Sequence, residues 1–262
     1  MRTCAIIDES LPGKPVLGYL FCYQNGQGFS IEISENIPEE RLPLFLASFV
    51  QKGMYTVGLE WSLRWVQARI VPTDRQNLGS VLKDNGLKEY NEYRLLMIAR
   101  GRCAQDDCCV MPVELTDLPS WVYERLAKRV KRAVLLQNDR LLVSFEDNSV
   151  RLIPVKDVID DSRLITDEDM QVQPGGCGIA FFGSQSAASA ELHEEGELLS
   201  LRDEDLLKLS DQLLLDTNEV CRLLACSRQQ VDYLIRTGRL HPLRSSGRMR
   251  LFDRSEVQHL SW

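Results

Sequence analysis

Two helix-start signatures stand close together near the C-terminal end of the sequence, Asp216-Thr217-Asn218-Glu219 and Ser227-Arg228-Gln229-Gln230. In each, a short oxygen-bearing side chain can accept a first-turn backbone N–H. The acid or amide three residues on can reach back to the capping residue's own N–H. An apolar stripe follows each signature at helical spacing: Val220, Leu223 and Leu224, then Val231, Leu234 and Ile235. Ala225-Cys226 leaves room only for a tight turn between them. Gly238 fits the left-handed position that stops the second helix. Local signals at every boundary therefore agree on two short helices joined by a few residues.

That arrangement is a helix-turn-helix. Its second helix would present Arg228, Gln229, Asp232, Tyr233 and Arg236 away from the apolar stripe. Leu240 to Arg244, a Ser245-Ser246-Gly247 turn and Arg248 to Phe252 then read as a two-stranded wing. Asp253-Arg254-Ser255-Glu256 caps a closing helix that carries Val257 and Leu260. Arg236, Arg239, Arg244, Arg248 and Arg250 come with no acid between them. Arginine suits phosphate and guanine because its planar fork bonds bidentately.

Residues 215–260 resemble the winged helix-turn-helix of the MerR and excisionase superfamily. The resemblance rests on Thr217-Asn218-Glu219-Val220-Cys221-Arg222-Leu223-Leu224, Ser227-Arg228-Gln229-Gln230-Val231 and Leu234-Ile235-Arg236-Thr237-Gly238-Arg239-Leu240, with Phe252-Asp253-Arg254-Ser255-Glu256-Val257 closing it. In such modules the second helix enters the major groove and the wing follows the neighbouring backbone or minor groove. The resemblance implies recognition-helix contacts at Ser227, Arg228, Gln229, Gln230, Tyr233 and Arg236, and wing contacts at Arg244, Arg248 and Arg250. The capping box competes for Gln230. MerR regulators place this module first and follow it with a dimerising helix. Here it comes last, which speaks against a zippered dimer of that kind and against metal sensing.

The rest of the chain differs in character. With 262 residues, 31 Lys and Arg and 38 Asp and Glu, the net charge is −7. Non-specific coating of nucleic acid usually needs a basic chain, so nucleic-acid contact here must come from a local basic patch. The apolar run within Met1–Glu9 is too short for a signal sequence, and no stretch approaches the roughly 18 apolar residues of a spanning helix. The cytoplasm is the expected compartment, with the eight cysteines reduced. Cys103, Cys108 and Cys109 lack the second hook of a structural zinc site, so inert thiols are expected and no metal or cofactor. His193, His241 and His259 adjoin no nucleophile, and no phosphate-loop, dinucleotide, hydrolase or metalloprotease motif is present. The chain is read as a non-enzyme.

The overall fold class is α+β and multidomain. Residues 1–118 are expected as an N-terminal α+β domain. In it, strands over 16–23 and 29–33 flank an Asn25-Gly26 turn, the second alternating apolar and polar residues. Pro38 or Pro43 starts a helix that Gly53 closes. Thr73-Asp74-Arg75-Gln76 caps another that ends at Gly86, and Leu87–Arg100 forms a third. Arg69, Arg75, Arg94, Arg100 and Arg102 interleave with Trp65, Tyr90 and Tyr93, and read as a solvated helical face mixed with core aromatics.

Residues 119–185 are expected as a small β-rich domain: a connecting helix over 119–131, then strands at 132–136, 140–145, 150–155, 170–173 and 178–182. Residues from about 132 to 185 resemble an uncharacterised bacterial β-rich family found in toxin–antitoxin loci. The resemblance rests on Asp139-Arg140-Leu141-Leu142-Val143-Ser144-Phe145-Glu146-Asp147, the stretch 155–159 and Gly176-Cys177-Gly178-Ile179. It implies protein interaction. Residues 186–212 read as an acidic linker and 213–262 as the DNA-binding domain.

Together these readings give a sequence-specific, autoregulating DNA-binding protein whose partner is double-stranded DNA. A protein partner, toxin-like, would bind through residues 1–185. A single fifty-residue module makes few contacts, so a homo-oligomer and half-sites one DNA turn apart are expected. The alternatives are an antitoxin that neutralises a cognate toxin, or a phage-type excision factor. The latter is usually little more than the module itself.

Overall fold

Strand β1 (Arg2–Asp8) lies inside a sheet, one strand from its edge, although its sequence carries no alternation. β2 (Val16–Tyr23) and β3 (Gly28–Ile33) follow it. The computed structural model of the chain describes residues 1–23, 28–136, 139–159, 166, 169–181, 185–246 and 249–260. The expected Asn25-Gly26 turn, Gly247 and Arg248 lie outside the described residues. Two compact units are found: residues 1–147 with 151–197, and residues 148–150 with 198–262.

In the first unit, a 3-10 turn at Glu39–Arg41 follows Pro38, and helix α1 (Leu44–Val50) follows Pro43. Each proline therefore opens a separate element. Strand β4 (Thr56–Val57) and helices α2 (Leu59–Gln67), α3 (Leu78–Asp84) and α4 (Glu92–Ala99) come next, then β5 (Cys108–Val113). The sheet is antiparallel in the order β4-β3-β2-β1-β5. On one face Ile6, Leu20, Phe29 and Ile31 pack against Leu46, Trp65, Val66 and Leu96. On the other, Phe21 and Tyr23 pack against Leu118, Val122 and Cys177. Burial on both faces explains why β1 and β2 read as near-continuous apolar runs.

Two helix starts differ from expectation. Thr73–Gln76 caps nothing, because α3 begins at Leu78 after Asn77. α4 begins at Glu92, where Asn91 Oδ1 accepts the Arg94 N–H at 2.9 Å, so 87–91 is not helical. Asn91 supplies the α4 boundary through its side chain, whereas α3 starts after Asn77 with no side-chain cap. The expected solvated arginine face is also corrected in part. Arg69 is buried, stacks 3.6 Å over the Trp65 ring, and pairs with Asp106.

β3 keeps the alternation read from its sequence, yet it buries its polar positions too: Ser30 and Glu32 are fully buried. Helix α5 (Ser120–Ala127) and the residues after it explain this. Arg129 donates to Glu32, Arg125 lies 3.4 Å from the same carboxylate, and Thr56 Oγ1 donates to it at 2.6 Å. Tyr23 OH bonds Ser30 Oγ at 2.8 Å beside them. Burial pushes the Tyr23 phenol above its ordinary pKa. Burial works against the Arg129 charge, but the Glu32 carboxylate offsets it and holds the guanidinium firmly protonated.

The expected boundary at 118/119 is crossed by this cluster and by the contacts of Leu118 and Val122, so both segments belong to one unit. β6 (Val130–Leu136), β7 (Arg140–Phe145) and β8 (Ser149–Pro154) form the expected meander, with β6 starting two residues early. β9 (Met170–Val172), β10 (Gly178–Phe181) and β11 (Gln185–Ala188) form a second small sheet, and α6 (Ser189–Glu195) packs Leu192 under it.

The segment expected as a linker, 186–212, is thus built from regular elements: the end of β11, α6, β12 (Glu197–Arg202) and most of α7 (Asp203–Leu213). Its small residues pair closely with β10: a Cβ at Gly178 would clash with the Ala187 carbonyl oxygen.

The second unit continues from α7 through β13 (Leu214–Asp216), α8 (Thr217–Leu223), α9 (Arg228–Arg236), β14 (Pro242–Ser246), β15 (Met249–Asp253) and α10 (Arg254–Leu260). Strand order is β13-β15-β14. Leu215, Val220, Val231, Leu240, Phe252 and Val257 form the core. Leu223, expected inside, is exposed, and Ser245 and Ser246 continue a strand instead of turning.

Ala225 sits in the turn between α8 and α9 at φ +49°, a left-handed conformation that costs a residue with a Cβ about 1–2 kcal/mol. Ala225→Gly should relieve that strain. After glycine's greater chain entropy, it should raise the stability of this unit by about 0.5–1 kcal/mol. A thermal melt that moved down would show that the turn is unstrained.

Candidate nucleic-acid interface

Both helix starts carry the caps that their sequences imply. Asp216 Oδ1 accepts the Glu219 N–H at 2.7 Å, and Glu219 Oε2 accepts the Asp216 N–H at 2.8 Å. Ser227 Oγ accepts the Gln230 N–H at 3.3 Å, and Gln230 Oε1 accepts the Ser227 N–H at 2.8 Å. The Ser227 and Gln230 side chains are therefore committed to holding the start of α9. Gly238 stops α9 at φ +67°, with the Arg239 N–H donated to the Leu234 carbonyl at 2.9 Å. Val231 anchors the buried side of α9, while Leu234 and Ile235 flank it half-buried.

The opposite side of α9 is exposed at Arg228, Gln229, Asp232, Tyr233 and Arg236. Arg228 Nη2 donates to Asn218 Oδ1 at 2.6 Å, so the first turn of α8 holds the first residue of α9. Arg250 on β15 pairs with Asp232 on α9 and ties the hairpin to the helix. Both partners are partly exposed, so the pair fixes geometry more than it stabilises. Arg244 is exposed on β14. An open groove of about 510 Å³ runs between these parts, lined by Asp216, Thr217, Asn218, Arg228, Asp232, Met249 and Arg250.

Residues 214–260 match the helix-turn-helix domain family. The match falls on the segment whose motifs resemble the MerR and excisionase superfamily. Neither a curated protein nor a solved structure matches the chain. Such domains bind DNA by laying the second helix in the major groove.

Within this helix-turn-helix domain, the structure brings Ser227, Arg228, Gln229, Tyr233, Arg236 and Arg250 onto one helix and the strand beside it. Gln230 is turned into the cap. Arg248 lies outside the described residues. Sequence reading missed Asn218 and Met249 as groove residues. Asn218 does occupy the second helical position of α8, but nothing in a linear pattern says that it faces Arg228. That contact exists only once the turn has brought α8 and α9 together.

Elsewhere, Cys108 and Cys109 are successive strand residues that enter opposite clusters, so with Cys103 they cannot converge on one ion. Burial pushes both thiols up. Among the described residues no group of three or more His, Cys, Asp or Glu is placed to hold a metal, and no helix is long and apolar enough to cross a membrane.

Proposed function

We propose that the chain is a sequence-specific DNA-binding regulator that reads double-stranded DNA with the outward face of α9. The β14–β15 hairpin serves as its wing. The observation that carries this reading is the pre-set Arg228. It is exposed, it sits at the N-terminal end of a doubly capped helix, and Asn218 holds it in place. A side chain held this way loses less freedom when it engages a base edge. Gln229, Tyr233 and Arg236 extend the same face, and Arg244 gives the hairpin positive charge for phosphates, while Arg250 is held by Asp232 and sets the hairpin against the helix.

In this reading the protein acts by binding, in the cytoplasm, with no cofactor and no chemistry of its own. It works as an oligomer on repeated sites. The first unit takes a protein partner, and the exposed Leu44, Met54 and Trp61 favour that role. An antitoxin that represses its own operon would combine both activities.

The test is selection of bound fragments from the source genome by the full-length protein at physiological salt, beside a double variant Arg228→Ala, Arg244→Ala. Recovery of a promoter-proximal site by the native chain alone is the expected result. Equal recovery by both, or no enrichment by either, would overturn the reading.

A further inference from the structure

The end of α8 carries a feature that DNA reading does not use. The Cys226 N–H donates to the Cys221 carbonyl at 3.0 Å, the Ala225 N–H to the Arg222 carbonyl at 3.4 Å, and Ala225 is left-handed. This is a Schellman ending, in which the side chains at the first and last of these positions lie against one another and usually make an apolar contact. Here both positions are cysteine, and both are half-buried at the rim of the core. The motif does not demand thiols. α9 ends in the same way, and there the corresponding residues are Leu234 and Arg239. Of the other cysteines, Cys4, Cys22, Cys108, Cys109 and Cys177 are buried, and Cys103 lies near the Asp106 carboxylate at 3.7 Å.

We propose that Cys221 and Cys226 form a dithiol site for low-molecular-weight disulfides, closing to an intramolecular bridge across the turn that aims α9. One protein thiolate attacks a sulfur of a disulfide such as oxidised glutathione. A mixed disulfide forms and one glutathione leaves as the thiol. The second protein sulfur then displaces the other glutathione. Two protein thiols are oxidised, one small disulfide is reduced to two thiols, and the two thiol protons pass to the released glutathiones. Nothing remains attached. The backbone hydrogen bond holds the two residues side by side and the two thiols are within hydrogen-bonding reach of one another; a disulfide needs Cα atoms roughly 4.4–6.8 Å apart. Burial first, then the adjacent Cys221 thiol, raises Cys226 above the ordinary thiol range. Exchange runs through the thiolate, so it is slow and is best read at equilibrium.

The bridge would fix Leu224-Ala225-Cys226 directly before Ser227, the cap of α9. The consequence for DNA rests on the reading given above: a turn fixed in advance pays less on binding. The oxidised protein should then hold its selected fragment about three- to tenfold more tightly than the reduced one.

The experiment equilibrates the full-length protein in glutathione redox buffers, quenches with an alkylating reagent and maps the peptides by mass. A 221–226 bridge should form in the native protein at least about tenfold more readily than in the urea-unfolded chain, because the fold holds the sulfurs together. Cys221→Ser and Cys226→Ser should each yield only a mixed disulfide at the remaining thiol. No bridge in the native chain, or one formed no more readily than in urea, overturns the site. A bridge with equal DNA affinity in both forms overturns its regulatory role. Failure of both forms to bind DNA sinks the DNA reading and leaves the bridge measurement standing.

Discussion

Arg129→Ala should destabilise the first unit by about 3 kcal/mol, the lower part of the range for breaking a buried ion pair. The magnitude follows from what is left behind. Glu32 has no exposed surface, so its carboxylate cannot recover the lost partner from water. Arg125 at 3.4 Å and Thr56 at 2.6 Å remain, which keeps the cost from being larger. Trp61, Trp65 and Trp121 lie in this unit, so tryptophan fluorescence follows its unfolding in denaturant. The midpoint should fall without change in slope. Replacing both partners by apolar residues of similar volume, Glu32→Leu with Arg129→Met, should recover most of the loss, since a buried pair is often no better than well-packed hydrocarbon. A single-variant loss below about 1 kcal/mol would mean that water or a proton reaches Glu32 freely.

Arg228→Ala should weaken binding to the selected site by about 1–3 kcal/mol, roughly five- to 150-fold, and relax preference at one base position. Binding to unrelated DNA should change little. Arg244→Ala should do the reverse, weakening all sequences alike and reducing the slope of log affinity against log salt by about one. The contrast follows from position: Arg228 starts the helix that would lie in the groove, and Arg244 is on the hairpin strand beside it. Titrations of both variants on specific and unrelated duplexes at several salt concentrations decide it. Equal losses on every sequence for both would remove base reading from α9.

The helix-turn-helix was legible because its boundaries are set within a few residues. Asp216 with Glu219 and Ser227 with Gln230 close on themselves, and Gly238 is needed where it stands. β2 and β3 were legible for similar reasons. β1 was not, since burial on both faces erases the alternation that marks a strand, and β5 was not, since its buried Cys108, Cys109 and Val110 run on into exposed Met111 and Pro112 without alternating. Alternation in β3 marked the strand but not the burial of Glu32, because Glu32 faces Arg129, some hundred residues away in sequence. Gln185–Ala188 and the elements after it read as a linker because small and acidic residues dominate them, yet backbone pairing needs no bulky side chain. The Arg228–Asn218 contact was hidden because it depends on how two helices cross.

The place of β1 between β2 and β5 bears on synthesis. Arg2–Asp8 leaves the ribosome well ahead of β5, one of its two neighbours in the sheet, which follows about 100 residues later. At 5–20 residues per second, β1 waits about 5–20 s with one edge unpaired. A nascent chain with that apolar strand open is a substrate for chaperones that bind extended segments. Pausing translation before Cys108 should prolong the exposure, whereas a pause placed far enough after Val113 for β5 to have left the ribosome should not.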